Sequence, residues 1–236
     1  MRVMPPKPSP LLCELHAHTT WSDGELTPRE LCDLYGLLGF DVLAITDHTC
    51  REEREVHAGN HHAYLEEIER EAERARRRYG LLVLPGLELT YDDPDPFDSA
   101  HVVAIGLRKH VDVSRGLQSA LASARAQGAA LVAAHPYLPS DLAGATRGTA
   151  AFGARPALRT LVDRFELFNR DTLFGWVAAA GLPVIASGDF HRLEHLAGWK
   201  TLLPCPRDER AVLTYLRSRR PAYLVRLDEL DTRLAA

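Results

Sequence analysis

The chain has 236 residues, 46% of them hydrophobic, and a net charge of −4, which suits one large soluble α/β domain with a substantial core. That charge advertises no broad electrostatic attachment to nucleic acid or an anionic membrane surface, the basic stretches Arg74–Arg78 and Arg217–Arg220 excepted, so a stable nucleic-acid complex is not expected. Cys13, Cys32, Cys50 and Cys205 show no CxxC spacing and no scaffold density, which excludes a disulfide framework and fits a reducing cytoplasm.

The proline-rich start MRVMPPKPSP has no apolar signal core and reads as a tail over residues 1–10. Leu11–His16 then predicts a short strand. Thr27-Pro28-Arg29-Glu30 opens a helix through a capping box with proline at its first position, Leu31, Leu34 and Leu38 give its apolar stripe, and Gly39 ends it. Asp41–Thr46 predicts a buried strand. From Asn60 to Tyr79, Leu65, Ile68, Ala72, Ala75 and Tyr79 recur at helical spacing, and the Glu66/Arg70 and Glu73/Arg77 pairs mark the opposite, solvated face. Leu81–Leu87 and His101–Gly106 predict strands, Ser114–Gln127 a helix, and Ala129–Ala134 a strand. Pro139–Arg155 is irregular and rich in Gly and Ala. Phe165–Phe168 predicts a strand, Asp171–Ala180 a helix, Val184–Ser187 and Thr201–Leu203 strands, Asp208–Arg219 a helix and Ala222–Val225 a last strand. The longest uncharged stretch, Thr172 to Gly188, is broken by Gly181-Leu182-Pro183 and predicts no membrane span. The whole chain, 1–236, is expected to be a single domain, with residues 204–236 supplying a helix and strand that close it.

Strands alternating with helices at this pitch predict a parallel α/β sheet. With about seven repeats, a distorted seven-stranded β/α barrel comes first. An open doubly wound sheet comes second, since the first βα turn has no glycine fingerprint.

Metal-ligand residue types recur along this frame. His16, His18 and Asp23 stand in LHAHTTWSDG, His48 in AITDH, Glu88 in PGLELT, His101 in SAHVVAIG, His135 in AAHPY, and Asp189 with His191 in SGDFHR. Imidazoles and carboxylates are the ligands of borderline divalent metals. One His-x-His pair would mean little, but core packing does not place nine such residues repeatedly where a strand should end. Functional residues of such barrels sit at the C-terminal ends of strands. His101 is the misfit, because it precedes its apolar run; a strand running against its neighbours would return it to the same rim. Cys50 follows the His48 motif as a bystander thiol. Asp47 suits an orienting role behind the ligands, Trp21 either stacking on a base or rim packing, and His57, His61, His62 and His110 suit the surface.

These motifs in this order, from about Leu12 to Leu203, resemble the PHP family, named for its polymerase and histidinol phosphatase members. The resemblance implies the distorted barrel and two or three divalent metals per chain: manganese, zinc or iron. It implies that His16, His18 and Asp189 hold one metal, and Asp23, His48 and His191 a second. Glu88 would bridge the first metal to a third bound by His101 and His135. Some members have histidine where this chain has Asp23, and the added negative charge favours manganese or iron over zinc. Several nucleotide-cleaving members carry an inserted domain between the segments matching His101 and His135, which this chain has no room for.

The implied activity is hydrolysis of a phosphate mono- or diester, histidinol-phosphate-like or nucleotide-type. Metals about 3.5–4 Å apart clamp phosphate oxygens and lower the pKa of a bridging water to roughly 7. Glu88, Asp23 and His191 are then the groups on which catalysis depends most. Arg192, Arg170 and His195 are the candidate substrate contacts, the two arginines through charge-assisted hydrogen bonds to phosphate. The partner is a small phosphorylated molecule, a nucleotide among the candidates. A catalytically silent module would have lost ligands, and this chain keeps all of them. A metal-dependent amidohydrolase often bridges its metals with a carboxylated lysine, where this chain offers Glu88.

Overall fold

The computed structural model describes residues 9–49, 55–142 and 148–227. Cys50, most of the expected N-terminal tail and residues 228–236 lie outside the described residues. In chain order the elements are β1 (Leu11–Glu14), α1 (Pro28–Leu37), β2 (Val42–Ile45), β3 (His48–Thr49), α2 (His61–Tyr79), β4 (Leu82–Tyr91) and β5 (Ala100–Ile105). There follow α3 (Leu117–Ala126), β6 (Ala130–Ala134), α4 (Ala151–Ala154), β7 (Arg164–Asn169), β8 (Thr172–Leu173), α5 (Gly175–Ala179), β9 (Val184–Ser187), β10 (Gly198–Leu203), α6 (Glu209–Leu216) and β11 (Tyr223–Leu227).

Local chemistry sets the helix ends as expected. The Thr27 hydroxyl accepts the Glu30 N–H while the Glu30 carboxylate accepts the Thr27 N–H, closing the capping box at the start of α1. The buried face of α1 is Leu31, Cys32 and Tyr35, with Leu34 and Leu38 only partly covered. Helix α2 ends at Gly80, whose φ of 71° no side chain readily adopts. It lays Tyr64, Ile68 and Ala75 on the sheet.

The fold is mixed α/β with one curled sheet, in which nine strands follow the order β11-β10-β1-β2-β4-β5-β6-β7-β8. The wholly parallel sheet expected from the alternation does not form. β1, β2 and β4 are parallel, as are β6, β7 and β9, but β5 is antiparallel to both of its neighbours. The short Asp92–Ser99 link between β4 and β5 carries no helix, so the chain turns straight back. β10 and β11 add two antiparallel strands outside β1.

Just beyond β1 and β9 the chain pairs again at Ala17 and Phe190: His18 N–H donates to the Phe190 carbonyl at 2.7 Å and Phe190 N–H to the His16 carbonyl at 3.1 Å. This draws two ligand-bearing segments together. The pleat sorts the apolar residues by its period of two. Leu43 and Ile45 of β2 join α1 and α2 in one core cluster, whereas Val42 and Ala44 join Leu84, Val132, Ile185 and the α6 residues Val212 and Leu216 in another.

Arg164, fully buried, ties α6 to this sheet. Its guanidinium donates to the carbonyls of Leu216, Tyr215, Ser218, Arg220 and Val184 at 2.7–3.2 Å, taking up acceptors that a helix C-terminus leaves unpaired. Arg164→Met is expected to lower unfolding free energy by at least about 3 kcal/mol, since buried carbonyls are stranded. Urea unfolding tests this; a loss under about 1 kcal/mol would show that the carbonyls find other donors.

Candidate metal centre

Each ligand candidate reaches one rim because of the strand that carries it. His16 and His18 leave β1, His48 starts β3, His135 follows β6, and Asp189 and His191 follow β9. Glu88 does not sit past a strand end as the sequence predicts. It lies inside β4, paired with His48 on one side and Val103 on the other, because β5 extends the ladder further than the parallel neighbour β2 does. The reversed β5 also resolves the misfit: its first turn of ladder places His101 opposite Thr90 and Ala134, at the rim.

Glu88 is the hub. Its Oε2 stands 3.1 Å from His16 Nε2, 3.3 Å from His18 Nε2 and 3.2 Å from His48 Nδ1. Its Oε1 stands 3.1 Å from His101 Nδ1 and 3.2 Å from His135 Nε2. Asp189 Oδ1 lies 3.5 and 3.4 Å from the Nε2 atoms of His16 and His18. Asp23 Oδ2 approaches His191 Nε2 at 3.2 Å, and its Oδ1 lies 3.7 Å from both His18 Nδ1 and His48 Nε2. The structure thus brings together all nine predicted ligands.

Three groups emerge whose donor atoms lie within 4.8 Å of one another, close enough to hold a cation: His16/His18/Glu88, His48/Glu88/His101 and His18/Asp23/His48/His191. The buried Nε2 of His18 makes no aligned hydrogen bond. Five imidazoles around one carboxylate, with two more carboxylates behind, is a donor set that fits divalent metals.

Apart from Asp47, the residues behind the candidate ligands are not among those the sequence marks. Glu166, fully buried in β7, accepts from His16 Nδ1 at 2.9 Å, His135 N–H at 2.7 Å, Asn169 Nδ2 at 2.8 Å and the Ser187 hydroxyl. Thr90 and Thr149 hydroxyls meet the Nδ1 atoms of His48 and His135, and Asp92 meets His101 Nε2 at 3.0 Å. Such partners fix ring orientation and tautomer. The signal was available for Glu166, a carboxylate in the middle of the apolar run RFELF.

Asp47 plays the orienting part expected of it, accepting from Thr19 N–H, Thr19 hydroxyl and Ser22 hydroxyl at 2.7–2.8 Å to set the loop that carries Asp23. Trp21 packs its edge on Tyr64 and donates to Glu67, a rim-packing role. His62 is exposed as expected, but His61 is buried against Tyr64 and His110, contrary to the surface reading. His135, Arg170 and Asp189 hold φ values of 29°, 53° and 43°. That left-handed backbone is uncommon outside glycine and gathers at functional sites.

Burial works against charge throughout the cluster, yet the carboxylates prevail over it on three rings. They raise His16, and they raise His18 and His101 to about 9. Burial dominates at His48 and pushes it down to about 4. Facing these rings, Glu88 and Asp189 stay well below the usual carboxylate range despite burial. At pH 7 the metal-free site therefore holds protons on rings that must be neutral to ligate. Manganese uptake is expected to release protons, and affinity should climb as pH rises from 6 toward 9. Calorimetric titration in two buffers of different ionisation enthalpy measures this. Affinity that stays flat over that range would contradict it.

Beside His191 and Asp23 opens a pocket of about 270 Å³ lined also by Glu25, Arg170, Arg192 and His195. All three candidate substrate contacts border it. Arg170 is the most constrained, donating to the Asp189 carbonyl at 3.0 Å and carboxylate at 3.1 Å. Arg192 reaches out to Glu194 at 3.6 Å and is half exposed. His195 Nδ1 accepts the His191 N–H at 3.1 Å, and burial with the nearby Arg170 charge lowers its pKa to about 4.

The PHP domain family model matches residues 14–134. The chain belongs to the PHP family. A curated relative, the 3′,5′-nucleoside bisphosphate phosphatase of Chromobacterium violaceum, is 28% identical over 198 residues, covering 79% of this chain and 61% of its own length. Among solved structures, a two-domain protein of Bacteroides vulgatus containing a predicted PHP-like metal-dependent phosphoesterase matches 92% of this chain and 66% of its own, with TM-score 0.69 and 22% identity. An amidohydrolase of Chromobacterium violaceum with bound sulfate matches 91% of this chain and 97% of its own, with TM-score 0.55 and 17% identity. At those identities the structures attest the fold alone. The chain spans less than two thirds of the length of the curated relative and of the Bacteroides protein. Among the described residues, no helix is long and apolar enough to cross a membrane.

Proposed function

We propose that this PHP protein is a metal-dependent phosphoesterase acting on a small phosphorylated molecule, first of all a nucleotide carrying a terminal phosphate monoester. The observation that carries this reading is the Glu88 carboxylate, with three imidazoles on one oxygen and two on the other. A carboxylate so placed suits a bridge between cations. His16, His18 and Asp189 would hold one metal with Glu88, His101 and His135 another, and Asp23, His48 and His191 a third. The Asp23 carboxylate favours manganese or iron in that last place. Such cations supply Lewis acidity toward a phosphoryl oxygen and make water a usable nucleophile near neutral pH. The ring β1, β2, β4, β5, β6, β7 and β9, drawn together at Ala17 and Phe190, supports a distorted seven-stranded barrel as the frame.

The chain's own residues would bind and orient the substrate. Arg192 can swing its planar fork onto a phosphate at the pocket mouth. His195 accepts on Nδ1, which places its proton on Nε2, where it can donate to a phosphate oxygen. Arg170 adds positive charge beside Asp189. The name of the curated relative makes 3′,5′-nucleoside bisphosphates the first substrates to try. The test is a panel of these, of simple phosphate monoesters and of diesters, assayed on protein refilled with manganese. Monoester hydrolysis that disappears on chelation is expected. Protein that carries metal yet hydrolyses nothing in the panel would refute the proposal.

A further inference from the structure

Beneath the ligands lies a charge pair that the reading above does not use. Glu14, the last residue of β1, and Lys200, in the neighbouring β10, are both fully buried, with Lys200 Nζ 2.7 Å from Glu14 Oε2. Among the described residues no other acceptor hydrogen-bonds that ammonium. Tyr35 of α1 donates its hydroxyl to the same oxygen at 3.2 Å. The other oxygen, Oε1, accepts Gly188 N–H at 2.8 Å, Leu15 N–H at 3.0 Å and His16 N–H at 3.3 Å. A single carboxylate thus grips the backbone of two ligand segments, that of His16 and that leading into Asp189. Position 188 has to be glycine for this, since a Cβ there would overlap both Lys200 Nζ and Glu14 Oε2.

Taking two charges out of water is expensive, and an apolar pair of similar volume commonly does as well for stability. The pair therefore needs another reason to stand where it does. What Glu14 does that an apolar side chain cannot is accept three backbone N–H groups at the exits of two strands. Lys200 takes up Oε2 at 2.7 Å, which leaves Oε1 turned toward Gly188 N–H.

We propose that Glu14 and Lys200 are positioning residues for the metal centre, holding the His16 and Asp189 segments in register so that both can ligate one ion. This rests on the metal reading above. Its effect falls on the metal held by His16, His18 and Asp189, and outer partners of this kind are worth about 10–100-fold in metal affinity.

The experiment compares two double variants and the wild type by manganese titration of chelated protein and by thermal unfolding. Glu14→Gln with Lys200→Met removes both charges but keeps an amide oxygen for Gly188 N–H; a clearly smaller loss of manganese affinity than in the leucine variant is expected. Glu14→Leu with Lys200→Met removes the acceptor too. It should fold with a lowered Tm, because three backbone N–H groups lose their acceptor, and below that Tm bind manganese at least about tenfold more weakly or with one ion fewer. Wild-type stoichiometry and affinity in the leucine variant would overturn the proposal, as would an equal loss of affinity in both double variants. If the leucine variant does not fold, Glu14→Asp takes its place, drawing the carboxylate back by one methylene while keeping the ion pair. Weakened manganese binding at unchanged Tm is then expected, and unaltered binding overturns the proposal. A wild-type chain that takes up no manganese would instead overturn the metal reading itself.

Discussion

Glu88→Gln is expected to empty most of the metal centre and to cut kcat/KM by at least about a thousandfold, equivalent to some 4 kcal/mol of transition-state stabilisation. The substitution keeps size and shape, so the loss follows from charge and ligand strength alone. Two of the three proposed ions depend on Glu88, whose two oxygens face the His16/His18 side and the His101/His135 side respectively. The fold should survive. Glu88 is one of the groups holding His16, His18 and His101 protonated in the metal-free protein, so without it these rings can shed protons and remain buried as neutral groups. The apolar clusters on both faces of the sheet do not involve it. His191→Ala should be narrower in effect, removing the ion held with Asp23 and His48 while the Glu88 pair persists. Metal counting by elemental analysis, circular dichroism and turnover on the same preparations separate these outcomes. A folded Glu88→Gln protein with wild-type metal content and rate would refute the bridging role.

The candidate ligands were legible because most of them interrupt or directly follow an apolar strand pattern with a residue that core packing does not favour there. Their convergence was legible too, once the strands were placed in a barrel-like order. The placement of Glu88 was not. Length of β4 is set by its antiparallel partner β5, and a hairpin that needs only the Asp92–Ser99 link leaves no helix-sized gap to announce it. Residues 171–180 read as one helix because their composition is apolar and Gly181 offers a stop. The structure instead turns sharply after Asn169, pairs it with Thr172, and starts a shorter α5 at Gly175. That turn is what holds Arg170 in left-handed backbone and aims it at Asp189, a long-range consequence that no local propensity encodes. Glu14, Glu166 and Lys200 stand in apolar strands as charges that must be paired if buried. Their presence was visible in LLCEL, RFELF and GWKTLL. Their partners, from other strands, were not.

Arg170 and Arg192 looked equivalent in sequence, each directly following a residue of the rim, but the structure separates them. Arg192→Ala is expected to lower kcat/KM by roughly ten- to a hundredfold through loss of charge-assisted hydrogen bonds worth about 1.5–3 kcal/mol. Its metal content should stay whole, because among the described residues the Arg192 side chain pairs with Glu194 and with none of the candidate ligands. Arg192→Lys should recover part of the rate, an ammonium having the charge without the two-pronged geometry. Arg170→Ala should show a different signature. Its guanidinium holds both the carbonyl and the carboxylate of Asp189 and lies 3.3 Å from His191 Nδ1, so manganese affinity should fall together with kcat. Alanine there also carries the cost of a φ of 53°, which Arg170→Gly would not. If the glycine and alanine variants lose metal alike, the guanidinium is responsible; if only alanine does, the backbone is. Unchanged metal affinity in both, with a kcat/KM loss matching that of Arg192→Ala, would make Arg170 a phosphate contact like its neighbour, and the grip on Asp189 incidental.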